Sequence, residues 1–214
     1  MICIAGGNFS AKLNNKSIHL NTRINVCKND VLSFGKVNLG VRCYLAVKGG
    51  FLSDKVLKSS SFYKNITPEY IIKKDAMLPI STFKSDLKTT NTSIKISKSH
   101  FESQEIICSK GPEYNLLSEF QKTQLLNQLF TISKDNNRMG YRLEETIKNS
   151  LPSILTSAVL PGTVQLTPSG KIIVLMRDCQ VTGGYPRVLQ LTNAAINRLA
   201  QKTTNNQFQF VLEV

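Results

Sequence analysis

The stretch NNRMGYRLEE, residues 136–145, places two arginines, a glycine and a tyrosine within ten positions. A second stretch, MRDCQVTGGYPRV at residues 176–188, has the same mixture with a pair of adjacent glycines. Arginine is rarely buried without a partner, and clustered glycine indicates special backbone geometry or close approach to a ligand. We therefore expect the two stretches to form the two sides of one polar site.

The composition is that of a folded protein. Of 214 residues, 41% are hydrophobic, which is enough to bury the core of one large domain or two small ones. No stretch approaches the roughly 18–20 apolar residues of a membrane span. The N-terminal residues 1–10 lack the basic and long apolar regions of a signal peptide. The sequence therefore predicts no membrane partner.

The net charge of +13 raises the question of nucleic-acid binding, which is driven by neutralisation of phosphates. The lysines are scattered along the chain, however, with no run of five. An aromatic and glycine-rich RNA-binding signature and a Cys/His finger spacing are both missing. We therefore predict no nucleic-acid partner.

The cysteines indicate a reducing compartment. They are five in number and widely spaced, without a C-x-x-C pair, which favours free thiols in a cytoplasmic protein over a disulfide framework. The two histidines, His19 and His100, do not lie near a cysteine at ligand spacing. The sequence accordingly predicts no metal site.

Short apolar runs predict strands in the first eighty residues. The runs at 2–6, 31–35 and 43–47 end in glycine or are followed by it, and Asn14–Asn15 predicts a hairpin turn. Strands at this spacing favour an antiparallel sheet, a sandwich or a barrel.

The second half predicts strands mixed with a few helices. Residues 171–176 form an apolar strand, and residues 193–202 a short helix with Thr192 or Asn193 as N-cap. Residues 113–130 have helical spacing. Five side chains of that helix are expected on one core-facing side: Leu116, Leu117, Phe120, Leu125 and Leu129.

Arg138 and Arg142 lie four residues apart across Gly140 and are candidates for binding an anion. The guanidinium group offers a fork of donors that matches a carboxylate or a phosphate. The alternative is that one of them pairs with Glu144 or Glu145 on the surface, where an ion pair stabilises by only about 0–1 kcal/mol.

The second stretch supplies further candidates for chemistry. Asp178, at the end of a predicted strand, suits a general base, or else a turn aspartate that accepts from nearby backbone amides. Gly183 and Gly184 allow positive φ and close approach of amides to a ligand. Tyr185 offers its hydroxyl to a substrate or buries its ring. Cys179 is a poor nucleophile, because the adjacent carboxylate raises a thiol pKa.

Gln165 is the remaining candidate. It follows a turn at Pro161–Gly162, and its amide either pairs with an amide or lactam substrate or lies exposed on a strand. Neither a P-loop nor a G-x-S-x-G elbow occurs in the sequence. Any enzymatic role must therefore rest on arginine, aspartate, glutamine, tyrosine and backbone amides.

These motifs together resemble a known family. NNRMGYRLE, LPGTVQLTPSGKIIVLM and RDCQVTGGYPRV are similar to the patterns SNRMGYRLEG, PGTIQVPPDGQPIVL and DRQTTGGYP. GGNFSAKLNNKSI and GVRCYLAVKGGF near the N-terminus resemble GADLSPTLNGKPI and GxRAYLAVxGGI. These patterns are typical of the family that contains the C-type subunit of 5-oxoprolinase, allophanate hydrolase subunit 2 and the carboxyltransferase part of urea carboxylase.

The resemblance implies a mainly β fold with a few helices, arranged as two cyclophilin-like β-barrel subdomains. The family begins some eighty residues earlier, so we expect an N-terminally truncated chain whose first subdomain is incomplete. The Ser/Thr/Lys-rich segment 82–99 is the expected connection. We therefore predict a partial first subdomain with its linker over 1–98 and a second subdomain over 99–214.

The resemblance also departs from the family pattern at informative positions. Thr156, Ser157 and Ala158 stand where the family has Ser-Glu-Gly, so an acidic group is missing. Cys179 stands where arginine is typical and Val181 where threonine is typical.

The implied function is that of a subunit of an ATP-dependent 5-oxoprolinase, which hydrolyses 5-oxo-L-proline to L-glutamate together with other subunits. ATP is then a co-substrate of the complex. Alternatives are an allophanate- or urea-type amidase, a biotin-dependent carboxyltransferase subunit, or a non-catalytic regulator that binds a partner subunit. No biotin-carrier motif occurs here, so biotin is not expected on this chain.

We assign site roles in this setting as predictions. Asp178, Tyr185 and Gln165 are expected to be catalytic. The residues expected to bind substrate are Arg138, Arg142, Gly140, Tyr141, Gly183 and Gly184. No metal ligand is predicted.

Overall fold

The computed structural model describes residues 1–83 and 94–213. Most of the predicted connection, residues 82–99, thus lies outside the described residues. No helix in the described part of the chain is long and apolar enough to cross a membrane. The chain divides into two compact units, one made of residues 1–38 and 43–95, the other of residues 39–42 and 96–214.

The first unit consists of short strands in two small sheets. Its strands are β1 (Ile2–Asn8), β2 (Lys12–Leu13), β3 (Lys16–Ser17), β4 (Leu32–Ser33) and β5 (Leu39–Val47). β1 pairs with β5, and β2 lies between β3 and β4; the first four residues of β5 belong to the second unit. Asn14 and Asn15 have φ of 49° and 67° and make the predicted turn between β2 and β3.

The second unit is built around a closed seven-stranded barrel with a separate two-stranded ribbon. Its strands are β6 (Glu105–Lys110), β7 (Phe130–Asn136), β8 (Gly140–Thr146), β9 (Ser157–Ala158), β10 (Thr163–Leu166), β11 (Lys171–Leu175), β12 (Thr182–Gly183), β13 (Arg187–Leu191) and β14 (Gln207–Leu212). The barrel order is β10-β11-β8-β7-β14-β6-β13, and β9 pairs with β12 as the ribbon. The predicted mainly β fold with a few helices is confirmed.

Three α-helices accompany the described strands: α1 (Ser99–Glu102), α2 (Glu119–Asn127) and α3 (Asn193–Leu199). The prediction for α3 is confirmed, and Thr192 is its N-cap: the hydroxyl accepts a hydrogen bond from Ala195 N at 3.2 Å. α2 begins with a capping box, in which the Ser118 hydroxyl accepts from Gln121 N and the Gln121 side chain accepts from Ser118 N.

The predicted core-facing stripe of residues 113–130 is only partly correct. Leu117 and Leu125 are buried, but Leu116, Phe120 and Leu129 are 57%, 77% and 44% exposed. The reason is that the segment is not one helix. A 3₁₀ turn over Tyr114–Leu116 precedes the capping box of α2, and this break changes which side chains share a face.

Strand alternation divides the side chains of β8, β10 and β11 between the inside and the outside of the barrel. Val164, Val174 and Tyr141 lie opposite one another on adjacent strands, and all three are fully buried. Burial of each such side chain stabilises the fold by about 1.5–3 kcal/mol. Their strand neighbours must therefore point to the outer face of the barrel.

Candidate functional site

The outer row, Arg142, Ile173 and Gln165, runs across three adjacent strands. Gln165 lies opposite Ile173 on β11, and Ile173 lies opposite Arg142 on β8. Directly opposite residues project to the same face of a sheet. The row thus places a guanidinium group and a carboxamide on one surface, two strand spacings or about 9–10 Å apart at the backbone.

A cleft of about 630 Å³ lies on this face. Its volume suits a small-molecule ligand. It is lined by the outer row together with Lys134, Asp135, Asn136, Asn137, Met139, Gly140, Leu175, Gln180 and Tyr185. Four of the predicted site residues therefore share one cleft, namely Gly140, Arg142, Gln165 and Tyr185.

Gln165 is 1% exposed although it points outward, because the β9–β12 ribbon covers it. In the ribbon, Gly183 lies opposite Ser157. A Cβ added to Gly183 would be 2.6 Å from Gln165 Nε2, so the ribbon backbone rests directly against the carboxamide. No described residue accepts a hydrogen bond from this Nε2, and a buried donor without a partner is costly.

Arg187 and Glu113 fix the ribbon beside Gln165. Arg187 Nε and Nη2 donate to Glu113 Oε2 and Oε1 at 2.9 and 2.7 Å, and Arg187 Nη1 donates to Ala158 O of β9 at 3.0 Å. Both side chains of the pair are less than 20% exposed. The hydrogen bonds from Arg187 lower the pKa of the Glu113 carboxyl below its ordinary value.

The two arginine-rich stretches are in contact, as the sequence suggested. Asp178 N donates to Arg138 O, and Met176 N donates to Met139 O, both at 2.9 Å. Arg138 Nε also contacts Asp178 Oδ2 at 2.8 Å. The predicted base and the predicted anion-binding residue thus form an ion pair with each other, beside the residues that line the cleft.

Arg142 remains available to a ligand. Its Nη1 lies 3.8 Å from Asp135 Oδ2, at the outer limit of an ion pair, and the two side chains are 54% and 58% exposed. The predicted surface partners were Glu144 or Glu145. Glu145 instead accepts hydrogen bonds from the Thr131 backbone and hydroxyl at 2.6 and 2.7 Å.

Tyr141 lies inside the barrel and away from the cleft. Its ring is fully buried. Its hydroxyl accepts a hydrogen bond from Arg42 Nη1 at 2.6 Å and donates to Lys202 O at 3.2 Å. Arg42 Nη1 also donates to Ala200 O. Tyr141 thus ties residues 39–42 to the segment after α3.

Gly183 and Gly184 are glycines because of contacts and not because of backbone conformation. Neither is among the described residues with positive φ, contrary to one reason for singling them out. A Cβ on Gly184 would meet Ile154 O at 2.8 Å, and Ile154 N donates to Gly184 O at 2.8 Å. The two glycines therefore let the ribbon pack closely.

Several lining residues were not singled out from the sequence. Lys134, Asp135, Asn137 and Gln180 have exposed side chains in or beside the hairpin and the glycine-rich loop. Lys134 and Asp135 are at the end of β7 next to the NNRMGYRLEE stretch, and that position is the signal that would have indicated them. Gln180 lies between two candidates, Asp178 and Gly183.

The structure bears on two further predictions, for the Cys179 thiol and for metal binding. The pKa of Cys179 is raised, chiefly by burial and to a smaller extent by the charge of Asp178. A raised thiol pKa opposes a nucleophilic role. Among residues 1–83 and 94–213, no group of three or more His, Cys, Asp or Glu side chains is placed to hold a metal ion.

Residues 1–212 match the family model described as carboxyltransferase domain, subdomain A and B. The chain belongs to this carboxyltransferase-domain family. It is 29% identical to the C-type subunit of 5-oxoprolinase from Escherichia coli (strain K12), with 97% of this chain and 68% of the relative covered. The identity to the same subunit from Haemophilus influenzae is 26%, with the same coverage.

Solved structures show that the family fold is shared. The crystal structure of K. lactis urea amidolyase superposes with a TM-score of 0.79 at 23% identity, over 99% of this chain. The carboxyltransferase-family chain spans only 14% of that protein's length. The likeness therefore concerns the fold alone.

Proposed function

We propose that this chain is a subunit of an ATP-dependent 5-oxoprolinase, a cytoplasmic hetero-oligomer that hydrolyses 5-oxo-L-proline to L-glutamate. The similarity to the matching 5-oxoprolinase subunits of two bacteria supports this assignment. ATP is a co-substrate of the complex, with no site assigned to this chain. The five cysteines are all free, in keeping with a reducing compartment.

The buried, unpartnered carboxamide of Gln165 carries the proposal. Gln165 Nε2 lacks an acceptor within the described residues, yet its side chain lines the cleft. A lactam carbonyl that entered the cleft would supply the missing acceptor. Because a site built to hydrogen-bond a substrate discriminates strongly against analogues that leave its polar groups unpaired, this contact gives affinity for amides.

Arg142 accounts for the other end of the substrate. 5-Oxoproline carries a carboxylate next to the lactam nitrogen, and a guanidinium group binds a carboxylate through paired donors. Arg142 lies on the same row as Gln165 and is held only weakly by Asp135 at 3.8 Å. A carboxylate can therefore replace that contact without breaking a strong ion pair.

The remaining predicted roles fit the cleft to different degrees. Tyr185 lines the cleft and is 41% exposed, so its hydroxyl is available to hydrogen-bond the bound molecule. Asp178 is paired with Arg138, so a role in proton transfer requires that pair to open. Hydrolysis adds one water across the ring C–N bond, and the nitrogen leaves as the amine of glutamate.

The test is ADP release driven by 5-oxoproline, with the two other oxoprolinase subunits present and this chain added or omitted. We expect turnover to require the chain. Gln165→Leu should lower kcat/KM by about 10- to 100-fold, the effect of removing a buried hydrogen bond to the substrate. Arg142→Ala should mainly raise KM, because it removes an anchor for the carboxylate.

Lys171→Ala is the matched control. Lys171 is an exposed cation on the same strand as Ile173 but lies outside the cleft, so its removal should leave turnover unchanged. ADP release that is independent of the chain would refute the proposal. Turnover with urea in place of 5-oxoproline would refute it in favour of a urea-type amidase, since urea has no carboxylate for Arg142.

A further inference from the structure

We propose that Gly183 is a positioning residue that holds the Gln165 carboxamide as a reader of cis amides, so that the cleft prefers lactams to open-chain secondary amides. This inference rests on the proposed function, because it assumes that the cleft holds the substrate amide. It goes beyond that function by naming which amide geometry the cleft accepts and which residue enforces the choice.

The first step is the chemistry of the carboxamide. A glutamine side chain carries a donor and an acceptor next to each other on one planar group. In a small lactam the ring holds N–H and C=O on the same side, so both can pair with that group through two parallel hydrogen bonds. An open-chain secondary amide is trans, and its N–H and C=O point in opposite directions. It can make only one of the two bonds.

The second step is that the carboxamide is held in place before a ligand arrives. The Gln165 side chain is 1% exposed, and the outer row fixes the direction in which it leaves the sheet. The backbone of Gly183 lies against the amide nitrogen. A donor fixed in this way does not lose rotational freedom on binding, so the full preference for a matching amide is expressed.

The third step is that the contact requires glycine at position 183. A Cβ there would come within 2.6 Å of Gln165 Nε2. Because Gly183 does not have positive φ, its backbone conformation is open to other residues, and the carboxamide is the group that excludes a side chain. Gly184 differs, since a Cβ there would meet Ile154 O at 2.8 Å.

The experiment measures binding to the full chain by isothermal titration calorimetry, without other subunits and without ATP. Three probes that each carry a carboxylate are compared. 5-Oxoproline is a lactam, N-acetylglycine is an open-chain amide, and 5-oxotetrahydrofuran-2-carboxylate is the lactone that lacks the N–H. We expect the lactam to bind at least about tenfold more tightly than either of the others.

The role of Gly183 is tested by a double-mutant cycle. Gly183→Ala should weaken lactam binding about tenfold and reduce the preference for lactam over lactone, which a general loss of structure would not change selectively. In the Gln165→Leu background, Gly183→Ala should have no further effect, because the amide that it displaces is gone. Gly184→Ala should change lactam binding by the same factor in both backgrounds.

Stability provides a second measurement in case Gly183→Ala folds poorly. Gln165→Asn is shorter by one methylene and withdraws the amide from Gly183. The Tm loss caused by Gly183→Ala should therefore be smaller in the Gln165→Asn background than in the wild type. An equal Tm loss in both backgrounds would overturn the positioning role.

The other outcomes separate this inference from the proposed function. Equal affinity for the lactam and the open-chain amide, or independent effects of Gly183→Ala and Gln165→Leu, would overturn the inference even if the complex turns over 5-oxoproline. Selective lactam binding that depends on Gly183 would support it even if ATP-driven turnover is not found.

Discussion

Replacing Glu113 by glutamine should destabilise the second unit by about 3 kcal/mol. The Glu113 carboxylate accepts three hydrogen bonds from Arg187, from Nε, Nη2 and the backbone N–H at 2.7–2.9 Å. Hydrogen bonds to charged groups contribute about 1.5–3 kcal/mol each, and loss of one partner of a buried pair costs about 3–5 kcal/mol. The lower value applies because both side chains retain some exposure, at 16% and 18%.

The loss should depend on pH in one direction. Arg187 lowers the pKa of Glu113 below its ordinary value of 4.5. The contribution of the pair is therefore complete above about pH 4.5 and is lost as pH falls through the lower pKa of the folded state. The difference in unfolding free energy between wild type and Glu113→Gln should be constant from pH 5 to 8 and should shrink at lower pH.

The assay is chemical denaturation at several pH values, with thermal melts at pH 7, where about 3 kcal/mol lowers Tm by about 9 °C for a chain of this size. Glu119→Gln is the control. Glu119 pairs with Lys122 at 2.8 Å but is 90% exposed, so its loss should be below about 0.5 kcal/mol. Equal losses in the two variants, or a Glu113→Gln deficit that persists unchanged to pH 3, would refute the reasoning.

Three further predictions test the interior of the barrel, the surface and the thiols. Tyr141→Phe should lower the unfolding free energy by about 1–3 kcal/mol, because it leaves the buried partners of the hydroxyl unpaired, and it should leave lactam affinity unchanged; a change in affinity measured by calorimetry would contradict the interior placement. Phe120→Ser should change stability by less than about 0.5 kcal/mol, whereas Leu125→Ala should cost about 2–5 kcal/mol by urea denaturation; equal costs would contradict their exposures of 77% and 1%. Burial raises the pKa of Cys108 to about 12, so a thiol reagent at pH 8 should label exposed Cys27 at once and Cys108 only as the chain unfolds; mass spectrometry that finds rapid native-state labelling of Cys108 would oppose this.

The sequence predicted the chemistry of the site better than its geometry. Arg142 and Gln165 were identified from residue type and motif, and both line the cleft. Tyr141 was grouped with them because it is adjacent to Arg142 in the chain. Strand alternation sends adjacent side chains to opposite faces, so that adjacency places Tyr141 in the barrel interior.

Partners that are distant in sequence could not be predicted from spacing alone. The pair between Arg138 and Asp178 joins residues 40 positions apart, and it forms because the hairpin after β7 lies beside the end of β11. The contact between Gly183 and Gln165 requires the ribbon to fold over β10. Each depends on strand order, which one sequence does not reveal, whereas Thr192 as the cap of α3 depends only on local residues.

The barrel is closed by strands from the two ends of the second unit. β6 and β14 pair in parallel, with Phe210 opposite Ile106 and Leu212 opposite Cys108. On the ribosome, every other barrel strand emerges before β14, so β6 and β7 wait with unpaired edges until about residue 212 has left the exit tunnel. Such edges are prone to association with other chains, and synthesis of this protein therefore has an interval in which a chaperone that shields strand edges would raise its yield.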